Sequence, residues 1–534
     1  MMQTLPDAHS MTAIAAAAVV LLLPGTTSQA ATSPVEDVEP VVQPRVELDR
    51  PLVTRGDRTP VYVLVRCHAA ESPAAERANR PPLNLALVLD RSGSMEATGK
   101  IDYLKKAARR AVDGLNPRDH LAVVEYDTEI TTLWRSQPVR EKEPIKRLID
   151  RLTPRGGTDL AAGMMRGVEE VAAGMQTIDA QTTVSRVLLL SDGLANHGVI
   201  HPAEIGGMVR QAKRQGVRIS TLGLGLDYGE DLMQAIAQNG GGAFYHVEHP
   251  HEIARIYQEE LATLTATVAK DARLRLEAAP GVVNATILGA HDPQQADLDL
   301  GSFHAGETHT LLAQFVPGET LFDAAGEVSL GEIAFSYHDL SNDRSASVRI
   351  PLTVMVVEDA QAALAARNPA VAIEIKLFAA ERRHRDAVAQ YQAGHYDAAD
   401  QAMRELEHAM RKANGQHRDR RLATKFEALR VERDQMAAAR TSADQRNVYL
   451  KRTKNRLYRA ATGNRDQYLL QRGDEGINVE RLQTALQDEG HYAGPVDGLY
   501  SAAVETSIKA FQADNSLTVD GIAGPVTMQK LGLY

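Results

Sequence analysis

Residues Leu85–Met95 read LALVLDRSGSM. An apolar run ends on one carboxylate, Asp90, and two serines follow at alternate positions, Ser92 and Ser94, around Gly93. Asp and Ser both start turns and helices well, so the stretch alone reads as a capped strand end. Its surroundings say more. From Leu83 to about Thr265, short apolar runs (LNLALVLD, HLAVVEYD, SRVLLLSD, RISTLGLG) alternate with helical segments such as IDYLKKAARRAVDGL and TDLAAGMMRGVEEVAAGM. The runs are apolar throughout, as in a parallel sheet covered on both faces. The alternation predicts a doubly wound, Rossmann-like α/β domain over residues 83–265. Such sheets present ligand groups at the carboxyl ends of their strands, which is where Asp90 falls.

Two further pieces fall at the same edge. GGTD, Gly156 to Asp159, opens a helix, and LLLSDG, Leu188 to Gly193, ends a later strand. Together they offer two carboxylates, Asp90 and Asp192, and three hydroxyls, Ser92, Ser94 and Thr158. All are hard oxygen donors, which suit Mg²⁺, Mn²⁺ or Ca²⁺ and not zinc. Two negative charges balance a divalent cation, and the neutral hydroxyls leave it electron-poor. An octahedral Mg²⁺ would keep a position for water or for a partner's acidic side chain.

In DRSGSM, GGTD and SDG the chain resembles the metal-ion-dependent adhesion site (MIDAS) of von Willebrand factor type A domains. Residues Asp227–Leu261 look like the last helix–strand–helix of bacterial members. The resemblance implies that Asp90, Ser92, Ser94, Thr158 and Asp192 coordinate the metal, some through water. It also implies binding or scaffolding of proteins, since members of the family are not generally catalysts. With the strands on either side, the region is similar to bacterial proteins related to the von Willebrand domain of calcium-activated chloride channel regulators. That kinship does not imply ion conduction.

The chain has 534 residues, room for roughly three or four domains. A net charge of -10 and an aromatic content of 4% argue against nucleic-acid binding, which needs basic surfaces or stacking platforms. Ala13 to Leu23 is an apolar run too short to span a bilayer. With the small residues Ser28-Gln29-Ala30 after it, it predicts a secretory signal over residues 1–30 and hence the periplasm or cell envelope, although MMQTLPDAHS lacks the usual Lys or Arg. No other stretch predicts a membrane span. Cys67, the single cysteine, lies in strand-like VYVLVRCHA and reads as a buried structural thiol.

Residues 31–82 read as a linker followed by two strand-like runs, RVELDRPLV and PVYVLVRCHA. Residues 266–357 carry short strands split by Gly, Pro and Asp, an antiparallel β-sandwich pattern. The two early runs have no partner of their own, and joining this sandwich would make the α/β domain an insertion into it. Residues 358–463 are helical and basic, with a hairpin turning at Gly394 and reading as a spacer. Its Arg and Lys read first as a solvated face, with attraction to anionic envelope polymers as the other option.

Residues 464–534 form a small module with an internal echo: PVDGLYSAAV (Pro495–Val504) and TVDGIAGPVT (Thr518–Thr527) match in frame. Leu482, Leu486, Ile508 and Phe511 have helical spacing, so a three-helix unit is expected. In RGDEG, LQxxL, VDGLY, KAFQ and VDGIAGPVT it resembles the peptidoglycan-binding domain 1 family, which implies peptidoglycan as a partner. The first repeat departs from the family, with Ser501-Ala502 for Gly-Pro and Val504 for Thr. The VDG residues read as turn-formers and not as glycan contacts.

His246, His249 and His251 cluster in YHVEHPHE without a second ligand group. His197 and His201 follow SDG and read as loop residues near the metal edge. The sequence holds no GxSxG, HExxH, Walker or CxxC motif, and Ser92 and Ser191 have no evident His–Asp partners. The expectation is a non-enzymatic envelope protein that grips an unknown carboxylate-bearing protein through a divalent cation while anchored to peptidoglycan. The alternative is an accessory subunit of a wall hydrolase, or a wall enzyme itself.

Overall fold

The structure is a computed structural model that describes residues 40–70, 80–247, 250, 253–288, 296–461, 470–474, 477–517 and 519–533. The apolar run and cleavage-like residues read as a signal lie outside these, as do His249 and His251. Three strands come first: β1 (Val42–Leu48), β2 (Leu52–Thr54) and β3 (Val61–Ala69). The chain then enters the α/β unit through β4 (Leu83–Asp90), α1 (Lys100–Asp113), β5 (His120–Tyr126), β6 (Ile130–Pro138) and α2 (Lys142–Asp150). It continues through α3 (Leu160–Met175), β7 (Val184–Ser191), α4 (Pro202–Arg214), β8 (Arg218–Leu224), α5 (Glu230–Gly240), β9 (Gly241–Val247) and α6 (Ile253–Thr265). The sheet order is β6-β5-β4-β7-β8-β9. Every pair is parallel except β5 with β6. The antiparallel edge strand β6 escapes a reading based on apolar runs, because its sequence ITTLWRSQP is only half buried.

Each residue of β4, β5, β7 and β8 is buried, which is why these strands are apolar without alternation. Helix α3 packs unusually close to the sheet. A Cβ at Gly163 would lie 2.6 Å from the Tyr126 ring, and one at Gly167 would strike Val88. Small residues one turn apart let the helix backbone approach the strands, and this fixes the height of the helix start that carries Thr158.

The sandwich follows: β10 (Thr267–Ala278), β11 (Val282–Leu288), β12 (Asp297–His304), β13 (Thr308–Pro317), β14 (Gly326–Asp339) and β15 (Arg344–Val357). Its two sheets run β1-β3-β13-β11 and β12-β10-β14-β15-β2. The early strands therefore pair with late ones, and the α/β unit is inserted between them. The two crossings are pinned at one turn: Gly306 N–H donates to the Ala70 carbonyl at 3.2 Å, and Ala305 N–H donates to the Ala266 carbonyl at 2.9 Å. Cys67 is fully buried in this core, and burial pushes its thiol up to about 12.

Helices α7 (Ala360–Ala365), α8 (Pro369–Gln392), α9 (Tyr396–His417), α10 (Arg420–Ala438) and α11 (Ala443–Ala461) come next. The α8–α9 hairpin turns at Gly394, whose φ of 85° favours glycine. Two more long helices extend the expected hairpin. Helix α11 is fastened to the α/β unit: Lys451 Nζ donates to the Tyr228 carbonyl at 2.9 Å, and Lys454 Nζ meets Glu230 and Asp231, each at 2.7 Å. The last three helices are α12 (Ile477–Asp488), α13 (Ala502–Asp514) and α14 (Pro525–Lys530). Their core includes Leu482, Leu486, Ile508 and Phe511, with Ala428 and Val431 of α10 packed against it. Among the described residues no helix is long and apolar enough to cross a membrane.

Candidate functional site

Asp90 is the last residue of β4, and Asp192 directly follows β7, the neighbouring parallel strand. Both carboxylates are fully buried. Ser92 N–H and Ser191 Oγ donate to Asp90, at 2.8 and 2.9 Å, and Tyr126 Oη donates to it at 3.3 Å. Ser94 Oγ donates to Asp192 Oδ1 at 2.6 Å, and the Ser92 and Ser94 hydroxyls lie 3.1 Å apart. Thr158 stands at the start of α3, next to the capping residue Asp159, whose carboxylate accepts from Ala162 N–H at 3.0 Å. A Cβ added at Gly193 would lie 3.5 Å from Ser94 Oγ and 3.6 Å from Thr158 Oγ1, which places both hydroxyls beside the residue that follows Asp192. All five residues singled out from the sequence thus converge on one sheet edge.

Three positioning groups escape sequence reasoning. Lys100 Nζ donates to Asp192 Oδ2 at 2.7 Å. Asn196 Oδ1 accepts from Thr158 N–H at 2.8 Å and ties the loop after β7 to the start of α3. Tyr126 Oη also donates to the Leu190 carbonyl, at 2.8 Å, bracing β7 where Asp192 emerges. Only spatial proximity reveals these partners.

Burial pushes Asp90 up to about 6, and the Asp192 charge adds to the rise; hydrogen bonds from Ser92 and Ser191 oppose it. Two buried carboxylates that repel one another, ringed by neutral hydroxyls, fit a hard divalent cation, whose charge would relieve both burial and repulsion. Among the described residues no group of three or more His, Cys, Asp and Glu is placed to hold a metal, so the donor set depends on the hydroxyls. His246 is buried, with Nδ1 2.9 Å from Tyr228 Oη, while His197 and His201 are exposed. Around the site rise exposed apolar side chains: Leu194 at 61%, Ile200 at 54% and Leu226 at 37% exposure.

The small C-terminal module explains its VDG echo. Gln483 of α12 donates to Asp497 Oδ1 at 2.7 Å and to the Leu499 carbonyl at 3.1 Å, and accepts from Asp497 and Gly498 N–H at 3.0 and 2.9 Å. Gln512 of α13 repeats this on Asp520 at 2.8 Å and Ile522 at 2.8 Å, accepting from Asp520 and Gly521 N–H at 3.2 and 2.9 Å. The glutamines inside LQxxL and KAFQ are clamps for the turns. Gln512 also donates to Thr527 Oγ1 at 3.2 Å; the first repeat has Val504 in the matching place.

The inserted α/β unit is a von Willebrand factor type A domain: residues 84–259 match that family's model. Residues 475–531 match the model of the putative peptidoglycan binding domain. The chain is 28% identical over 303 residues to the uncharacterized protein sll0103 of Synechocystis sp., an alignment spanning 54% of this chain and 70% of that protein. It is also 28% identical over 241 residues to the uncharacterized protein YfbK of Escherichia coli, spanning 43% of this chain and 41% of that one. In structure it is similar to a von Willebrand factor type A protein from Catenulispora acidiphila, with a TM-score of 0.56 and 17% identity over 72% of this chain and 89% of the other. That likeness is one of fold.

Proposed function

We propose that this protein is a non-enzymatic adaptor of the bacterial cell envelope. Asp90, Ser92, Ser94, Thr158 and Asp192 would hold a divalent cation, Mg²⁺ in the first place because every donor is a hard oxygen, and a carboxylate of a partner protein would complete its coordination. The cation supplies a Lewis-acid contact for that carboxylate. The chain's own residues orient it: Lys100 and Ser94 hold Asp192, while Ser191, Tyr126 and the Ser92 backbone hold Asp90. Leu194, Ile200 and Leu226 would pack on apolar residues flanking the acidic one. Meanwhile the C-terminal module would bind peptidoglycan.

The observation that carries this reading is the convergence of five oxygen side chains from three distant segments on one sheet edge, in a chain that also carries a wall-binding module. The test uses the full chain. Envelope extract is passed over wild-type protein with and without EDTA, and over Asp90→Ala. A partner captured only by the untreated wild type supports the cation bridge, and identical captures in all three arms refute it. Sedimentation with purified peptidoglycan tests the anchor, and failure to co-sediment refutes it. A clearing band in a zymogram on purified wall would replace the adaptor with an enzyme.

A further inference from the structure

The amino end of the parallel sheet, opposite the metal face, opens on a cavity of about 1400 Å³. It lies where the α/β unit, the sandwich and α8 meet. Arg186 and Arg218, near the starts of β7 and β8, form one wall, and Arg382, Arg383 and Arg385 on α8 form another.

The charges on these walls are unevenly matched. Glu260 accepts from Ser220 and Tyr245, both at 2.6 Å, and faces Arg186 at 3.9 Å. Asp299 meets Lys213 at 2.9 Å and Arg218 at 3.7 Å. Glu307 accepts from His309 at 2.8 Å and from the His304 N–H at 2.9 Å. These carboxylates are occupied, and Glu381 of α8, which also lines the cavity, is engaged as well. Arg382, Arg383 and Arg385, by contrast, have no hydrogen-bond or ion-pair partner among the described residues, nor does the exposed Asp386 beside them. Arg186 is 5% exposed, yet its Nε makes no hydrogen bond.

The orientation of α8 is set from its other side. His384 is buried at 1% exposure and its Nε2 lies 2.7 Å from Glu432 of α10. That pair turns the RR-H-R stretch so that its three arginines line the cavity. A guanidinium binds oxyanions through a planar fork. Three unpaired forks within about one helical turn call for several anionic oxygens close together.

We propose that this cleft binds a polyanion of the oligophosphate type, independently of the metal face. The wall polymers beside which such a chain would sit and soluble polyphosphates share this chemistry.

The test is calorimetric titration of the full chain with tripolyphosphate in EDTA, which removes any divalent cation from the other site. Binding is expected, weakening steeply as ionic strength rises. Arg382→Gln/Arg385→Gln should weaken it at least tenfold without moving the melting temperature, since neither side chain has a partner among the described residues. Asp192→Asn, and Arg110→Gln on the exposed face of α1 away from the cavity, should bind as the wild type does. Lack of binding at low salt overturns the proposal, as does wild-type affinity in the double variant or loss of binding in Asp192→Asn. Competition by a phosphate-bearing wall polymer, but not by phosphate-free peptidoglycan, would identify the source as wall-bound. Competition by neither would identify it as soluble.

Discussion

At the proposed metal face, Asp90 and Asp192 are buried beside each other with hydroxyls between them; Lys100 pairs with Asp192, while burial and repulsion raise Asp90 to about 6. In the C-terminal module, Gln483 and Gln512 each serve two backbone N–H groups, a carboxylate and a carbonyl, and every one of those bonds is local to the turn it closes. Both regions are polar and buried. One stores electrostatic cost that a cation would relieve; the other is self-satisfied. The difference separates a binding site from a scaffold, although short polar motifs mark both.

The largest effect is expected in the scaffold. Gln512→Leu keeps the shape but orphans the N–H groups of Asp520 and Gly521, at about 1–3 kcal/mol each. The C-terminal module should then lose about 3–5 kcal/mol, read as earlier urea unfolding and loss of peptidoglycan sedimentation. Gln483→Leu should cost about as much.

A pH titration sharpens the contrast next. Asp90 rises from the ordinary 3.8 to about 6 in the folded protein, so between those values the folded state binds more protons than the unfolded one. Metal-free protein should therefore gain stability as pH falls through 6, by up to about 3 kcal/mol once pH lies below the unfolded value. Melting curves in EDTA would show the rise. Saturating Mg²⁺ should abolish it, because a bound cation keeps Asp90 ionised and protons then compete with the metal. A flat profile in EDTA would mean that Asp90 carries no unrelieved burial cost.

Third, Asp192→Asn removes one of the two charges and should weaken Mg²⁺ binding on the order of 100-fold, since even indirect supports of a metal ligand are worth about 10–100-fold. Equilibrium dialysis measures this, and the metal-free variant should melt lower, because Lys100 is left buried without its counter-charge. The smallest effect is expected within the clamps. Thr527→Val deletes one contact of Gln512 at 3.2 Å and makes the second repeat resemble the first, which has Val504. It should cost about 1 kcal/mol in urea unfolding, close to the value of one neutral hydrogen bond.

What is legible in the sequence follows the same division. All-apolar strands signal the parallel sheet, because covering both faces leaves no alternation to hide it. The five oxygen donors are legible because each sits in a short motif at a strand end or helix start. Their supports are not: Lys100, Tyr126 and Asn196 reach the site from other segments, and no local pattern marks a lysine that will meet Asp192 across the fold. Edge strand β6 stays hidden because its half-buried, mixed sequence lacks either period. Helices α10 and α11 blend into a spacer because basic residues mask their apolar stripes. The clamp glutamines lie within the motifs that identify the wall module, but their role becomes visible only when each is seen bonded to the DG turn of its own repeat.

The joint at Ala70 and Ala266 bears on how the molecule would carry load. The inserted domain leaves and rejoins the sandwich at one turn, where Gly306 bonds to Ala70 and its neighbour Ala305 bonds to Ala266. On the proposed function, a pull between a partner on the metal face and the C-terminal end would pass through two covalent connections at this joint, in parallel with the contacts of α11 to the α/β unit. Each would bear part of the tension, and neither terminus of the inserted domain could be peeled away alone. Such a doubled attachment suits a fastener more than a freely swinging arm.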